Sequence, residues 1–110
     1  MRITFVGDIM CELSVLKAAK KGKTYDFNWC FDGVRDLLKK SDYRICNLET
    51  PMAGEEAGYT SRIVSFNSPD CLAEALKKLG LDAVTTGNNH AVDRGYEGLA
   101  RTIDVLDKVG

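Results

Sequence analysis

Three short apolar runs in this sequence end in side chains that can bind cations or transfer protons. Asp8 follows the first run, residues 3–6, after a single glycine, and Asn47 and Glu49 lie at the end of the second, residues 43–48. The third run, residues 81–86, is followed by two amides, the only histidine and an acid: Asn88, Asn89, His90 and Asp93. Carboxylate and amide oxygens together with an imidazole are the donors of a metal site or of an acid–base catalyst.

The apolar runs are predicted to be strands, because they are short, apolar and bounded by glycine or polar turns. Residues 3–6 are expected to be buried, and Cys46 is expected to be a small buried side chain of the second strand. Helical spacing of apolar residues predicts helices between the strands. Alternating strands and helices predict an α/β fold with a mainly parallel sheet flanked by helices. The carboxyl ends of parallel strands share one edge, so the three polar clusters should converge there.

The helix between the second and third runs has the clearest signature. Ser68 is a plausible N-cap, Pro69 suits the first helical position, and Gly80 supplies the stop. Weaker patterns predict helices over residues 12–20 and 31–40, and a last helix from about residue 99. Residues 62–66 are predicted to form a short edge strand.

Length and composition restrict the class of protein. The 110 residues make one domain at most, and a net charge of −1 excludes the strongly basic surface of a nucleic-acid or membrane binder. Four cysteines without a C-x-x-C pair argue against structural zinc and favour a reducing compartment. Because no signal or membrane segment precedes the first strand, a cytoplasmic location is expected, or the extracellular face of a bacterial membrane if an anchor was removed.

The expected cofactor is a divalent metal ion. Oxygen donors with an imidazole suit Mn²⁺, Fe or Zn²⁺ better than Mg²⁺. A carboxylate that bridges two ions about 3.5–4 Å apart is a common basis of phosphoester hydrolysis. Each residue also has a purely structural interpretation: Asp8 as a turn residue, Glu49 as solvated surface, or Asn88 and Asn89 as a left-handed turn. Convergence at one sheet edge favours the functional interpretation.

Three motifs resemble one known family. Residues 7–10 (GDIM), 47–51 (NLETP) and 88–95 (NNHAVDRG) are similar to the N-terminal signatures of the bacterial CapA family of poly-γ-glutamate capsule synthesis. Residues 66–69 (FNSP) and 97–99 (EGL) fit as well, so the resemblance covers nearly the whole chain. The octapeptide that contains His90 is the most specific of these motifs.

The resemblance implies a fold and a set of residue roles. The family is similar to calcineurin-like metallophosphoesterases, which have a four-layer α/β/β/α sandwich and a two-metal site. Residues 1–110 would then be the N-terminal half of such a sandwich, with the C-terminal half absent. Asp8, Glu49 and Asn89 would be metal ligands, and His90, held by Asp93, would be catalytic. We further predict that Asn47 and Asn88 contact the substrate.

Two departures from the metallophosphoesterase pattern lead to further expectations. Met10 stands where a ligand histidine is usual, and no further histidine follows His90. The ligand set is therefore incomplete, and we expect little or no turnover by this chain alone. The resemblance implies a metal-dependent phosphoesterase-like hydrolase of capsule synthesis acting on a phosphoester or polyanionic substrate. The alternatives are a non-catalytic component that binds the poly-γ-glutamate polyanion, and a plain α/β binding domain.

Half of a sandwich would leave one sheet face without its partner sheet. Exposed apolar patches of more than a few hundred Å² usually drive association. We therefore expect self-association through the exposed sheet face or partial disorder.

Overall fold

The computed structural model describes residues 1–110. It has three parallel strands, four α-helices and one small hairpin. The elements follow in the order β1 (Ile3–Ile9), α1 (Leu13–Ala19), β2 (Lys20–Lys21), β3 (Thr24–Tyr25), a 3₁₀ turn (Asn28–Phe31), α2 (Asp32–Leu38), β4 (Tyr43–Leu48), a second 3₁₀ turn (Glu55–Ala57), α3 (Cys71–Leu79), β5 (Ala83–Thr85) and α4 (Gly95–Val109). No helix has both the length and the apolar character that crossing a bilayer requires.

The main sheet has the strand order β1-β4-β5, and both of its pairings are parallel. The predicted α/β class with a parallel sheet and flanking helices is therefore confirmed. The hairpin of β2 and β3, which is antiparallel, was not predicted, because each of its strands has only two residues. All three carboxyl ends of the main sheet lie at one edge.

The hydrophobic core lies on one face of this sheet. Cys46 and Leu48 of β4 pack there with apolar residues of all four α-helices. Cys46 is 2% exposed, as predicted, and burial raises the pKa of its thiol to about 11. Val6 and Ile9 of β1 and Val84 of β5 are partly buried against the same core, and the helices cover only that face.

The opposite face of the sheet is open. Ile3 and Phe5 of β1 are 48% and 73% exposed, and Tyr43, which pairs with Ile3, is 42% exposed. Residues 3–6 form a strand, as predicted, but the prediction that they are buried is wrong for Ile3 and Phe5. Parallel sheets are normally covered on both faces, so the open face is an unusual feature.

Helix α3 begins later than its sequence predicted. Asp70 occupies the N-cap position, while the side chain of Ser68 is buried and bonds Thr50 and the carbonyl of Pro51. The predicted cap at Ser68 is therefore wrong, because its hydroxyl is used by the preceding loop. Gly80 ends the helix with a φ of 94°, a left-handed conformation that suits glycine.

Residues 62–66 do not form the predicted edge strand. Only one isolated bridge, between Arg62 and Ser65, occurs there. The segment turns back on itself instead, and Ile63 and Val64 at its tip are exposed. A β-rich composition over so few residues did not distinguish a turn from a strand.

The long loop between β4 and α3 is fixed by one buried amide. Asn67 is 0% exposed, and its side chain accepts from the amide of Ala53 and donates to the carbonyls of Gly54 and Gly58. Loops rarely bury side chains so completely, since their polar groups need partners. The loop is thus a defined part of the fold that leads directly from Glu49 to the start of α3.

Candidate functional site

An irregularity in β1 determines where Asp8 points. Phe5 pairs with Ile45, but Asp8 pairs with Asn47, so β1 has one more residue than β4 between these positions. Strict alternation would place Gly7 opposite Asn47 and turn Asp8 to the other face. Because of the extra residue, Asp8 lies on the side of Asn47, and its Oδ1 accepts a hydrogen bond from Asn47 Nδ2 at 2.9 Å.

Asn47 connects all three strand ends. Its Nδ2 also donates to Glu49 Oε2 at 3.1 Å, so the two carboxylates share one donor. Its Oδ1 accepts from Thr85 Oγ1 at 3.1 Å and from Asn88 Nδ2 at 3.0 Å. The convergence expected from topology is therefore present, with Asn47 at its centre.

The environment of Glu49 disfavours its charged form. Partial burial raises the pKa of the Glu49 carboxyl, and contact with the Asp8 carboxylate raises it further, whereas His90 has the opposite effect. No Lys or Arg forms an ion pair with either acid. Two neighbouring carboxylates thus have one amide NH₂ between them and no positive side chain bonded to them.

Asn88 links this cluster to the loop that carries the histidine. Its Nδ2 donates to the carbonyl of Leu48 at 2.9 Å as well as to Asn47, and its Oδ1 accepts from the backbone amide of His90 at 3.0 Å. The loop after β5 is therefore bonded directly to the end of β4. This bonding fixes the backbone of His90 relative to the two carboxylates.

The imidazole of His90 is held on two sides. Its Nδ1 lies 2.7 Å from Asp93 Oδ2, an oxygen that also accepts from the backbone amide of Phe66 at 2.8 Å. The Phe66 ring packs edge-on against the imidazole, with 4.6 Å between centroids. The His90 and Asp93 side chains are only 14% and 12% exposed. Nε2 is the ring nitrogen left to act on a ligand.

Asn89, the third predicted metal ligand, is exposed and makes no hydrogen bond through its side chain within the chain. No group of three or more His, Cys, Asp or Glu side chains is arranged to hold a metal ion. The donor chemistry that is present, two adjacent carboxylates without a positive partner, fits one divalent cation. The same side chains do not provide the donors that a second cation would need.

The structure brings six of the seven predicted residues into one hydrogen-bonded network, and Asn89 lies beside it. The network comprises Asp8, Asn47, Glu49, Asn88, His90 and Asp93. The roles predicted for these residues, as ligands, catalysts or substrate contacts, stay predictions. Thr85 and Phe66, which contact Asn47 and His90, were not predicted. The position of Thr85 at the end of β5 was a usable signal, whereas nothing in the sequence indicated the contact of Phe66 with His90.

Comparison with known protein families gives a match over almost the whole chain. The sequence profile described as "Bacterial capsule synthesis protein PGA_cap" matches residues 2–110. This range includes every residue of the network described above.

A curated relative is similar over the full length of this chain. It is the capsule biosynthesis protein CapA of Bacillus anthracis, and the identity is 29% over 118 aligned residues. The alignment covers 100% of this chain but 28% of the relative. The chain thus spans somewhat more than a quarter of the relative's length.

Proposed function

The chain belongs to the bacterial capsule synthesis protein family PGA_cap, and from this premise we propose that it forms part of a cation-dependent phosphoester hydrolase site in capsule biosynthesis. Asp8 and Glu49 would bind a divalent cation, with Asn89 as a third donor. His90, held by Asp93, would act on the substrate. The link to capsule biosynthesis rests on the family and on the name of the relative.

The pairing of two carboxylates is the observation that carries the proposal. Asp8 and Glu49 share the NH₂ of Asn47, and their mutual repulsion contributes to the raised pKa of Glu49. Like charges at such a site are stabilised by a proton or by a cation. A hard divalent cation prefers carboxylate and amide oxygens, which are the groups present here.

His90 is suited to proton transfer at the same edge. When Nδ1 carries the proton that bonds Asp93, Nε2 of a neutral imidazole accepts a proton, and Nε2 of a charged imidazole donates one. Asp93 and Phe66 keep the ring from rotating, so the direction of Nε2 is fixed. A bound divalent cation would supply Lewis-acid activation of a phosphoryl oxygen or of water.

The donor set also limits what this chain does by itself. Two carboxylates and one amide provide fewer ligands than a two-ion hydrolase needs, so turnover by residues 1–110 alone should be weak or absent. We propose that the remaining ligands come from other parts of a longer protein. The matched relative is long enough to contain them, because the alignment covers only 28% of it.

Binding of an anionic polymer without catalysis is the competing function. Asp8 and Glu49 would repel a carboxylate-rich polymer at this edge unless a cation lay between them. Cation binding is therefore required by both functions. The two functions differ in whether His90 takes part in the hydrolysis of a phosphoester or only borders the surface that binds the polymer.

Calorimetric titration of the chain with Mn²⁺ tests the proposal. We expect one binding event near unit stoichiometry that is lost in Asp8→Asn and in Glu49→Ala. Asp104→Asn on α4 is the matched control, because Asp104 is exposed and forms no ion pair. Binding that survives both site variants, or no binding by the wild type at millimolar Mn²⁺, would contradict a cation site in this chain.

A second assay separates hydrolysis from polymer binding. The substrate is p-nitrophenyl phosphate with Mn²⁺, and the chain alone should give no more than trace turnover. A longer protein of the family with the equivalent residues should give turnover that disappears when the residue matching His90 becomes alanine. Binding of poly-γ-glutamate by the longer protein without any turnover would favour the competing function.

A further inference from the structure

The carboxamide of Asn47 has a partner for every hydrogen-bonding position. Its two N–H groups face Asp8 and Glu49, and its oxygen accepts from Thr85 and Asn88. A carboxamide has two donors and two lone pairs, so no position is left for a substrate. Its hydrogen bonds are therefore all internal to the strand ends.

The orientation of this amide follows from a backbone group. The backbone N–H of His90 can only donate, so the Asn88 atom that it contacts at 3.0 Å is the oxygen. The NH₂ of Asn88 consequently faces the carbonyl of Leu48 and the Asn47 side chain. Asn47 must then present its oxygen to Asn88 and its NH₂ to the carboxylates.

We propose that Asn47 is a positioning residue whose amide, oriented by Asn88 and Thr85, holds the carboxylates of Asp8 and Glu49 in place for a cation. The inference rests on the proposed function for the identity of the ligand, and it assigns Asn47 to the support of the site instead of to the substrate. Each N–H uses one lone pair of a carboxylate, and the other carboxylate lone pairs remain for a cation. Partners of this kind orient metal ligands, and their loss typically weakens metal binding about 10- to 100-fold.

Substitution of Thr85 tests the orientation of Asn47 without changing either carboxylate. Its hydroxyl donates to Asn47 Oδ1, and its side chain touches neither carboxylate through a hydrogen bond. Thr85→Val keeps the shape of the side chain and replaces only the hydroxyl with a methyl group. The next residue provides a matched control, because Thr86 makes no side-chain hydrogen bond and lies instead beside a groove lined by apolar residues of α3 and α4, among them Leu76 and Leu106.

The first measurement uses the cation-free chain labelled with ¹⁵N. We expect the Asn47 side-chain amide protons to exchange with water at least about tenfold more slowly than those of exposed Asn89, since hydrogen bonds protect them. Thr85→Val should shift the Asn47 amide signals and speed their exchange, whereas Thr86→Val should leave both unchanged. Exchange of Asn47 as fast as that of Asn89 in the wild type would overturn the inference.

The second measurement is Mn²⁺ affinity by calorimetry. We expect Asn47→Ala to weaken binding about tenfold or more and Thr85→Val to weaken it about threefold, with Thr86→Val equal to the wild type. Wild-type affinity in both Asn47→Ala and Thr85→Val would overturn the positioning role. If the wild type binds no Mn²⁺ while the Asn47 amide is protected and responds to Thr85→Val, the proposed function fails and the orientation of Asn47 stands.

Discussion

Asp93 accepts two hydrogen bonds through one oxygen, and both donors border the candidate site. One donor is the imidazole of His90, and the other is the backbone amide of Phe66, which belongs to the loop before α3. A single carboxylate therefore fixes the histidine ring and joins two loops. The family resemblance implied that Asp93 holds His90, but it gave no indication of the contact with Phe66.

Replacing Asp93 should loosen both loops. We expect Asp93→Asn to lower the free energy of unfolding by about 1–3 kcal/mol, because the charged acceptor of His90 Nδ1 is lost in a mostly buried position. Urea denaturation measures the loss, and the exposed Asp104→Asn should change stability by less than about 0.5 kcal/mol. Equal stability of the two variants would show that Asp93 does not hold this region together.

The charged carboxylate of Glu49 should lower the stability of the cation-free fold, although the proposed cation site needs that carboxylate. Because its pKa is raised in the folded chain, the folded state binds a proton more readily than the unfolded state. Stability contributed by this group is therefore lost as pH rises through the folded pKa, and it is regained below that pH. Glu49→Gln should accordingly raise the melting temperature at neutral pH in the absence of cations, and it should abolish Mn²⁺ binding.

Calorimetric melting with and without EDTA checks this prediction about Glu49. The matched control is Glu97→Gln on α4, where the glutamate is exposed. A Glu49→Gln protein that melts below the wild type in EDTA would mean that the contact of the two carboxylates stabilises the fold. The same contact also predicts that Mn²⁺ affinity falls as pH decreases through the raised pKa, since the proton competes with the cation.

The strands that carry the site were predicted from the sequence, but the extra residue in β1 and the start of α3 were not. Residues 43–48 were assigned correctly, because an apolar run bounded by polar residues has few other interpretations. The extra residue in β1 was not predicted, because Gly7 was interpreted as the end of the strand, whereas a glycine inside a strand often marks a bulge. Ser68 was a plausible cap by type, but Thr50 and Pro51, which are distant in sequence, engage its hydroxyl.

The loop between β4 and α3 should depend on Asn67. Asn67→Ala would leave the half-buried Ala53 amide and Gly54 carbonyl without their partner, and it would remove one bond to Gly58, an exposed residue whose carbonyl still accepts from Arg94. We expect the variant to lower the free energy of unfolding by about 2–4 kcal/mol. Asn89→Ala is the control for stability, because the Asn89 side chain is exposed and unbonded, and it should change stability by less than about 0.5 kcal/mol. Urea denaturation with equal midpoints for both variants would contradict the anchoring role of Asn67.

At the scale of the whole molecule, the helices and the core lie on one side of the sheet, and the site lies at its carboxyl edge. The other side exposes Ile3, Phe5 and Tyr43, although such strands are usually covered on both faces. The sequence motifs implied this open face through the resemblance to a four-layer sandwich. The apolar pattern itself could not, because Ile3 and Phe5 are apolar residues of the kind that parallel strands normally bury.

The open face should make the chain self-associate. We propose that copies pair through the row that contains Phe5, the most exposed apolar side chain of the sheet at 73%. Phe5→Ser should shift sedimentation toward monomer, whereas Tyr96→Ser, at an even more exposed position on α4, should not. A wild-type chain that remains monomeric up to about millimolar concentration would contradict association through this face.

We propose that Asp8, Glu49 and Asn89, which lie at or just after the ends of three strands of this chain, bind one cation. Paramagnetic broadening by substoichiometric Mn²⁺ tests it most directly, because the signals nearest the ion in the ¹⁵N-labelled chain disappear first. We expect the amide signals of Asp8, Glu49, Asn89 and His90 to broaden together, while those near the C-terminal end of α4 stay sharp. Broadening confined to other acidic surface positions, such as Glu55 and Glu56, or the same broadening in Asp8→Asn, would contradict it.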